Sequence, residues 1–240
     1  SYPKVHNPAP VSFNNILNQL AYDPHTGLLW GASEKGGRAN EGSLYTVDPQ
    51  TALLNVTASF FAPAYGESPF GGVLIMANGT MYGTTEKGGT HSSQWGTIYR
   101  YEPGTHMRAL YSFADLAKGG RPLGQLLVGP NNLLYGTTNS GGAGDTNGGV
   151  IFAIDQDGSA YTVLHSFADA DGTNPVSGLV RGIDGKTLYG ITSAGGDTTL
   201  NDGNGCGSIY AINADGTFQA LANLTEAVCV GQSLMRASNG

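Results

Sequence analysis

Two carboxylate–ammonium doublets, Glu34-Lys35 and Glu86-Lys87, stand in matching surroundings, SEKGG and TEKGG, 52 residues apart. Carboxylates facing each other across a cleft are the acid and base of glycoside hydrolysis. The adjacent lysines favour solvated ion pairs, and the corresponding places later in the chain hold Asn139-Ser140 and Ser193-Ala194, so no catalytic residue is assigned. The run from Asp169 through Asp171 to Asn174, DADGTN, has the alternating oxygens that open a calcium loop but not the distal bidentate glutamate. Asp169 and Asp171 therefore make Ca2+ the only cofactor the sequence suggests, against an Asx-stabilised turn. Asp197 and Asp202 are a second, weaker calcium candidate. The five histidines, His6, His25, His91, His106 and His165, show neither HxH nor HExxH spacing, which argues against zinc. No GxSxG motif places a nucleophile.

The aromatic residues point to binding. Trp95 sits in the polar loop GGTHSSQWG with His91 and Gln94, and Tyr65 and Phe70 lie in a neighbouring connection. Sugar rings are held by apolar stacking on such faces while directed polar groups meet the hydroxyls. The expected ligand set is Trp95, Gln94, His91, Tyr65, Glu34, Glu86, Arg38 and Arg121; the competing reading is that Trp95 caps its own unit. Trp30 occupies a repeating aromatic position and is expected in the core.

The elements that position these residues repeat four times: LLWGASEKGG from Leu28, TMYGTTEKGG from Thr80, LLYGTTNSGG from Leu133 and TLYGITSAGG from Thr187. Trp30, Tyr82, Tyr135 and Tyr189 are spaced by 52, 53 and 54 residues, a period that marks propeller blades or solenoid turns. Each cassette is followed by a second alternating run (GSLYTVD, GTIYRYE, GVIFAID, GSIYAIN) and a third, such as RALYSF. A short run, such as GGVLIM, opens the next unit. Four short strands per period predict an all-β fold, a β-propeller of four-stranded blades about 53 residues long. The units run approximately 14–61, 71–113, 124–167 and 178–224 in a single domain over 1–240, and strands at 9–13 and 232–238 are expected to share a closing blade. The first-to-second and third-to-fourth turns are short, and the other two connections are long and glycine-rich. One face therefore holds nearly all the loop diversity, where ligand sites are favoured.

A net charge of -7 with only 11 Lys and Arg disfavours a nucleic-acid surface, and no apolar run reaches the roughly 18 residues of a membrane span. No signal peptide follows Ser1, as in a mature secreted form or a processed fragment. Cys206 begins the third strand of unit four and Cys229 follows its last strand, which brings both to one edge and predicts a disulfide. Two separate buried thiols are the alternative. The sequons at Asn55, Asn78 and Asn223 could accept glycans. The order of strands leaves the fifth unit incomplete: a longer natural polypeptide is the favoured explanation, with self-association through unpaired terminal strands as another.

From about Val11, the combination of LYGTT, the paired glycines, the IYxI-type strand, YSFAD and DGTNP resembles the GloVer tandem repeat of secreted and surface-anchored bacterial proteins. The last unit departs most, with ANLTEAVCVGQSLM. The resemblance implies a propeller in an extracellular setting, with no general activity or catalytic residues to carry over. A kelch resemblance is weaker, because the later kelch Trp is missing. The functional expectation is a secreted, non-enzymatic module that binds carbohydrate or a cell-surface protein. The alternatives are a structural subunit of an extracellular assembly and a propeller polysaccharide lyase or glycoside hydrolase, which requires carboxylates converging at the channel mouth.

Overall fold

The computed structural model describes residues 19–143, 147–229 and 234–235. The strands expected at 9–13 and 232–238 lie outside the described residues, apart from Leu234 and Met235. The rest is a β-propeller of four antiparallel sheets. Blade 1 contains β1 (Ala21–Tyr22), β2 (Leu29–Ser33), β3 (Ser43–Val47) and β4 (Leu54–Ser59). Blade 2 contains β5 (Glu67–Pro69), β6 (Leu74–Ile75), β7 (Met81–Lys87), β8 (Thr97–Tyr101) and β9 (Arg108–Ser112). Blade 3 contains β10 (Leu127–Val128), β11 (Leu134–Thr138), β12 (Val150–Ile154) and β13 (Thr162–Ser166). Blade 4 contains β14 (Thr173–Pro175), β15 (Val180–Arg181), β16 (Leu188–Ala194), β17 (Ser208–Ile212) and β18 (Phe218–Asn223).

The innermost strand differs from the sequence expectation. In blades 2 and 4 it is split into two short pieces, β5 with β6 and β14 with β15, and both pieces pair with the long second strand. The segment TNP, read from sequence as part of a loop, is β14. The break falls where neighbouring blades approach backbone to backbone. A Cβ on Gly71 would stand 2.6 Å from the Gly124 carbonyl oxygen, and one on Gly124 would stand 2.6 Å from that of Ser177. Glycine is the residue that permits this approach.

Each letter of the LYGTT cassette has a distinct physical task. Met81, Leu134 and Leu188 are fully buried. The following aromatic faces the next blade: Trp30 lies 6.3 Å from the Tyr101 ring, and the Tyr82 hydroxyl donates to the Gln156 carbonyl at 3.1 Å. The glycine lies beneath the aromatic of the third strand. A Cβ at Gly31, Gly83, Gly136 or Gly190 would fall within 3.0 Å of Tyr45, Tyr99, Phe152 or Tyr210, respectively. The first threonine ties one blade to the next: Thr84 and Thr137 donate to the carbonyls of Gly124 and Ser177 at 3.1 and 3.0 Å. The second forms a buried hydroxyl pair, Thr85 with Thr97 at 2.9 Å and Thr192 with Ser208 at 3.2 Å. Through Thr97 and Ser208 these pairs hold the carbonyls of Tyr65 and Asp171, in the 3-10 turns that lead to the innermost strands.

Outer strands interlock by stacked rings. Tyr111 of β9 lies 4.2 Å from Tyr161 of blade 3, with planes 5° apart, and His165 of β13 stacks at 3.7 Å on Phe218 of blade 4. Between blades 1 and 2 the same region is filled by Ala58 and Met107.

Gly83→Ala is expected to lower stability by about 1–3 kcal/mol through overpacking against Tyr99, measured as a fall in the urea midpoint. An unchanged midpoint would refute the role assigned to this glycine.

Candidate functional site

The long second-to-third-strand loops and the long connections between blades share one face. Each of these loops is closed by a hydrogen bond between two glycines: Gly42 N–H to Gly36 O, Gly96 to Gly88, Gly149 to Gly141 and Gly207 to Gly195, at 2.8–3.2 Å. The residue just before the second glycine makes the junction with the following blade. Glu41 O accepts from Ser68 N–H at 2.9 Å, Trp95 O from Arg121 N–H at 2.7 Å and Gly148 O from Asn174 N–H at 2.7 Å. Ser68, Arg121 and Asn174 all have a left-handed backbone, with φ between 54° and 57°, and each is followed by proline. The side chains of Arg121 and Asn174 are thereby aimed at the end of the preceding blade's second strand.

At the junction of blades 2 and 3 this geometry brings together three residues of the expected ligand set. Arg121 donates from Nε and Nη2 to Oε1 of Glu86, at 3.1 and 2.5 Å. Lys87 Nζ stands 4.0 Å from the other Glu86 oxygen. The Glu86 side chain is 12% exposed and that of Arg121 is 44% exposed. Such a half-solvated pair contributes at most about 1 kcal/mol, so its main effect is orientation. The Trp95 ring is half-buried, packs against the core that contains Ile98, Phe113 and Leu126, and covers Gly120. At the next junction Asn174 Nδ2 donates to Asn139 O at 2.9 Å and Ser193 Oγ donates to Asn174 O at 2.8 Å.

The remaining expected residues are distributed differently. Glu34 occupies the blade 1 counterpart of the Glu86 position and is half-buried. Arg38 and Tyr65 form a second group around Phe61, which is 49% exposed: the Arg38 guanidinium carbon is 5.7 Å from the Phe61 ring centre, and Tyr65 meets that ring edge-on at 5.7 Å. His91 and Gln94 are exposed at the tip of their loop, where Gln94 N–H donates to His91 O. Phe70 departs from Tyr65 and lines the axis. Sequence reasoning missed Phe61, although it stands where the other units have Ala114 and Ala168.

Asp169 and Asp171 form a 3-10 turn, and Asp171 Oδ2 accepts from His165 Nε2 at 3.1 Å in the tautomer that protonates that nitrogen. Among the described residues, no three His, Cys, Asp or Glu side chains converge as a metal site. Cys206 and Cys229 form a disulfide. Asn55, Asn78 and Asn223 are all exposed. No helix among the described residues is long and apolar enough to cross a membrane.

An axial cavity of about 670 Å3 lies between the innermost strands, with Phe70, Gly72, Gln125, Leu126 and Ser177 in its wall. Gln19 and Leu234 complete the lining, and no described residue of that lining is ionisable.

The Gloeobacter/Verrucomicrobia repeat matches the sequence over residues 17–240. The chain belongs to this repeat family. Among curated proteins none matches it. Solved structures similar to this repeat chain include a nidogen/laminin complex, at 16% identity and a TM-score of 0.56, covering 86% of this chain and 64% of that one. A gluconolactonase from Xanthomonas campestris shares 16% identity with a TM-score of 0.53, over 86% and 61% of the two chains. TolB from Acinetobacter baumannii shares 15% with a TM-score of 0.51, over 85% and 43%. The Gloeobacter/Verrucomicrobia repeat chain thus spans less than two thirds of the length of these neighbours, and the likeness is one of propeller fold.

Burial against aromatic rings lowers the pKa of His165 below 6.5, outweighing the attraction of Asp171. The folded protein therefore binds this proton less readily than the unfolded chain, and stability falls as pH drops from about 6.5 through the lowered pKa. In thermal melts across pH 5–7, His165→Tyr is expected to flatten this decline while keeping a ring on Phe218; an unaltered profile would exclude His165 as its source.

Proposed function

We propose that this chain is an extracellular, non-enzymatic binding module whose long-loop face takes carbohydrate at the junction of blades 2 and 3. The observation that carries the reading is the junction at which the Trp95 carbonyl takes the Arg121 N–H while the Arg121 guanidinium orients Glu86. A half-buried indole is a fixed apolar platform, and a carboxylate held by a guanidinium presents directed acceptors and donors to hydroxyls. Both sides rest on a rigid backbone, which keeps the ordering cost of binding low. The disulfide and the accessible Asn55, Asn78 and Asn223 sequons support an extracellular setting.

A second reading, docking of a surface protein, is favoured by the exposed Phe61 with Arg38 and Tyr65, since aromatic and arginine side chains dominate interface energies. The neighbour solved as a nidogen/laminin complex is a propeller of this general kind bound to a protein. The gluconolactonase neighbour supplies the precedent for an enzyme. Against that reading, Glu86 is engaged by Arg121 and the lining of the axial cavity carries no described acid or base.

Glycan-array screening followed by calorimetry is expected to find a saccharide that binds the wild type. Arg121→Ala and Trp95→Ala should weaken it by about tenfold or more, with circular dichroism unchanged. Absence of any glycan ligand, or equal binding by both variants, would overturn the carbohydrate reading.

A further inference from the structure

The junctions between blades share one backbone and fill it with different chemistry. Where blades 2 and 3 meet, four matching places hold Glu86, Trp95, Gly120 and Arg121; where blades 1 and 2 meet, they hold Glu34, Glu41, Glu67 and Ser68. These places adjoin one another. The Arg121 guanidinium reaches Glu86, and a Cβ on Gly120 would stand 3.1 Å from the Trp95 Cβ. Glu34, Glu41 and Glu67 are all half-buried, and among the described residues none of the three carboxylates has an ion-pair partner. The cations around them are turned elsewhere or unpaired: the Arg38 guanidinium lies over Phe61, Lys87 Nζ stands by Glu86, and Lys35 forms no ion pair with a described residue.

Ser68 is an independent sign that a group is called for here. It is 1% exposed, and its Oγ has no hydrogen-bond partner, which is costly for a buried hydroxyl. Like Arg121, it donates its N–H to the preceding blade's loop, at 2.9 against 2.7 Å, has a left-handed backbone, with φ of 55° against 54°, and precedes proline. Both Cα–Cβ bonds therefore leave the junction in the same direction. The arginine goes on to its carboxylate, and the serine stops short. Where blades 3 and 4 meet, the Asn174 amide closes the same span by donating to Asn139 O at 2.9 Å.

We infer that the junction of blades 1 and 2 is a guanidinium socket, in which Glu34, flanked by Glu41 and Glu67, takes an arginine side chain of a partner protein. The incoming group fills the place that the Arg121 guanidinium fills one blade later, and Ser68 Oγ accepts one of its N–H groups. A guanidinium is planar, always charged and rich in donors, so a single one meets a carboxylate and a hydroxyl oxygen together. The three carboxylates add a negative field that a cation neutralises. The socket lies one junction away from the proposed carbohydrate site and does not depend on it. It deepens the protein-docking reading around Phe61, and rests on that reading only for the carrier of the guanidinium.

NMR titration of the full chain with the N-acetyl, N-methylamide derivative of arginine tests the socket. Because this probe is a single capped residue, its binding is read independently of whether Phe61 docks a protein. Shifts are expected at the backbone amides of Glu34, Glu41 and Ser68, saturating at millimolar probe and weakening as salt is raised. The citrulline derivative, of the same shape without the charge, should produce none, and the lysine derivative should bind more weakly. Glu34→Gln should weaken the arginine probe by about tenfold or more. Ser68→Arg, which rebuilds the tie of the next junction, should abolish its binding; if that variant does not fold, Glu34→Gln carries the test alone. No shift at these amides, an equal response to the citrulline or lysine derivative, or equal binding by Glu34→Gln would overturn the inference.

Discussion

The contact on which the structure depends is the tip of an aromatic ring reaching over a glycine. In every blade the third-strand aromatic, Tyr45, Tyr99, Phe152 or Tyr210, occupies the space above the second-strand glycine that any side chain would fill. Aromatic burial supplies much of the apolar area available to a blade this small. Because the ring spans two strands, it fixes their register, and a slip by one residue would set it over the flanking side chains instead. Around this contact the cassette needs an apolar residue on the core side, an aromatic toward the next blade and two hydroxyls where backbone carbonyls would otherwise be buried without donors. The signature LYGTT is thus a packing requirement written out in residues.

That dependence explains what could be read from the sequence. The paired second and third strands and the one-sided distribution of loops follow from contacts inside a single period, so a repeating text reveals them. The first pieces of the innermost strands do not, although their second pieces, such as Leu74–Ile75 within GGVLIM, do. Three-residue segments such as Glu67–Pro69 and Thr173–Pro175 hold proline and show no alternation, and they become strands only because the neighbouring blade leaves them one place to lie. Tertiary context overrides propensity there.

The candidate site was legible in its parts and not in its assembly. Glu86 stands out by its match to Glu34 and Trp95 by its departure from the repeating aromatic positions, yet the pairing of Glu86 with Arg121 joins two blades. It depends on a left-handed residue before proline, which recurs at Ser68, Arg121 and Asn174 at a constant spacing of 53. Because only the side chain differs at these positions, each junction keeps one backbone geometry and carries a different group: a buried hydroxyl at Ser68, a guanidinium at Arg121 or an amide at Asn174. Phe61 went unnoticed for the opposite reason. Its neighbours look like ordinary connection residues, and only the alanines at the matching places mark it.

The glycine pairs that close the long loops reach beyond the present sequence. The clamp has the same form around residues 37–41 in blade 1 and around residues 196–206 in blade 4. Lengthening a loop held at both ends costs little, about 0.6 kcal/mol for each doubling, and the strand register outside the clamp does not sense what lies within it. Each blade is therefore a socket of fixed dimensions. Foreign recognition segments can be grafted between its two glycines, and divergence within this repeat can proceed one socket at a time.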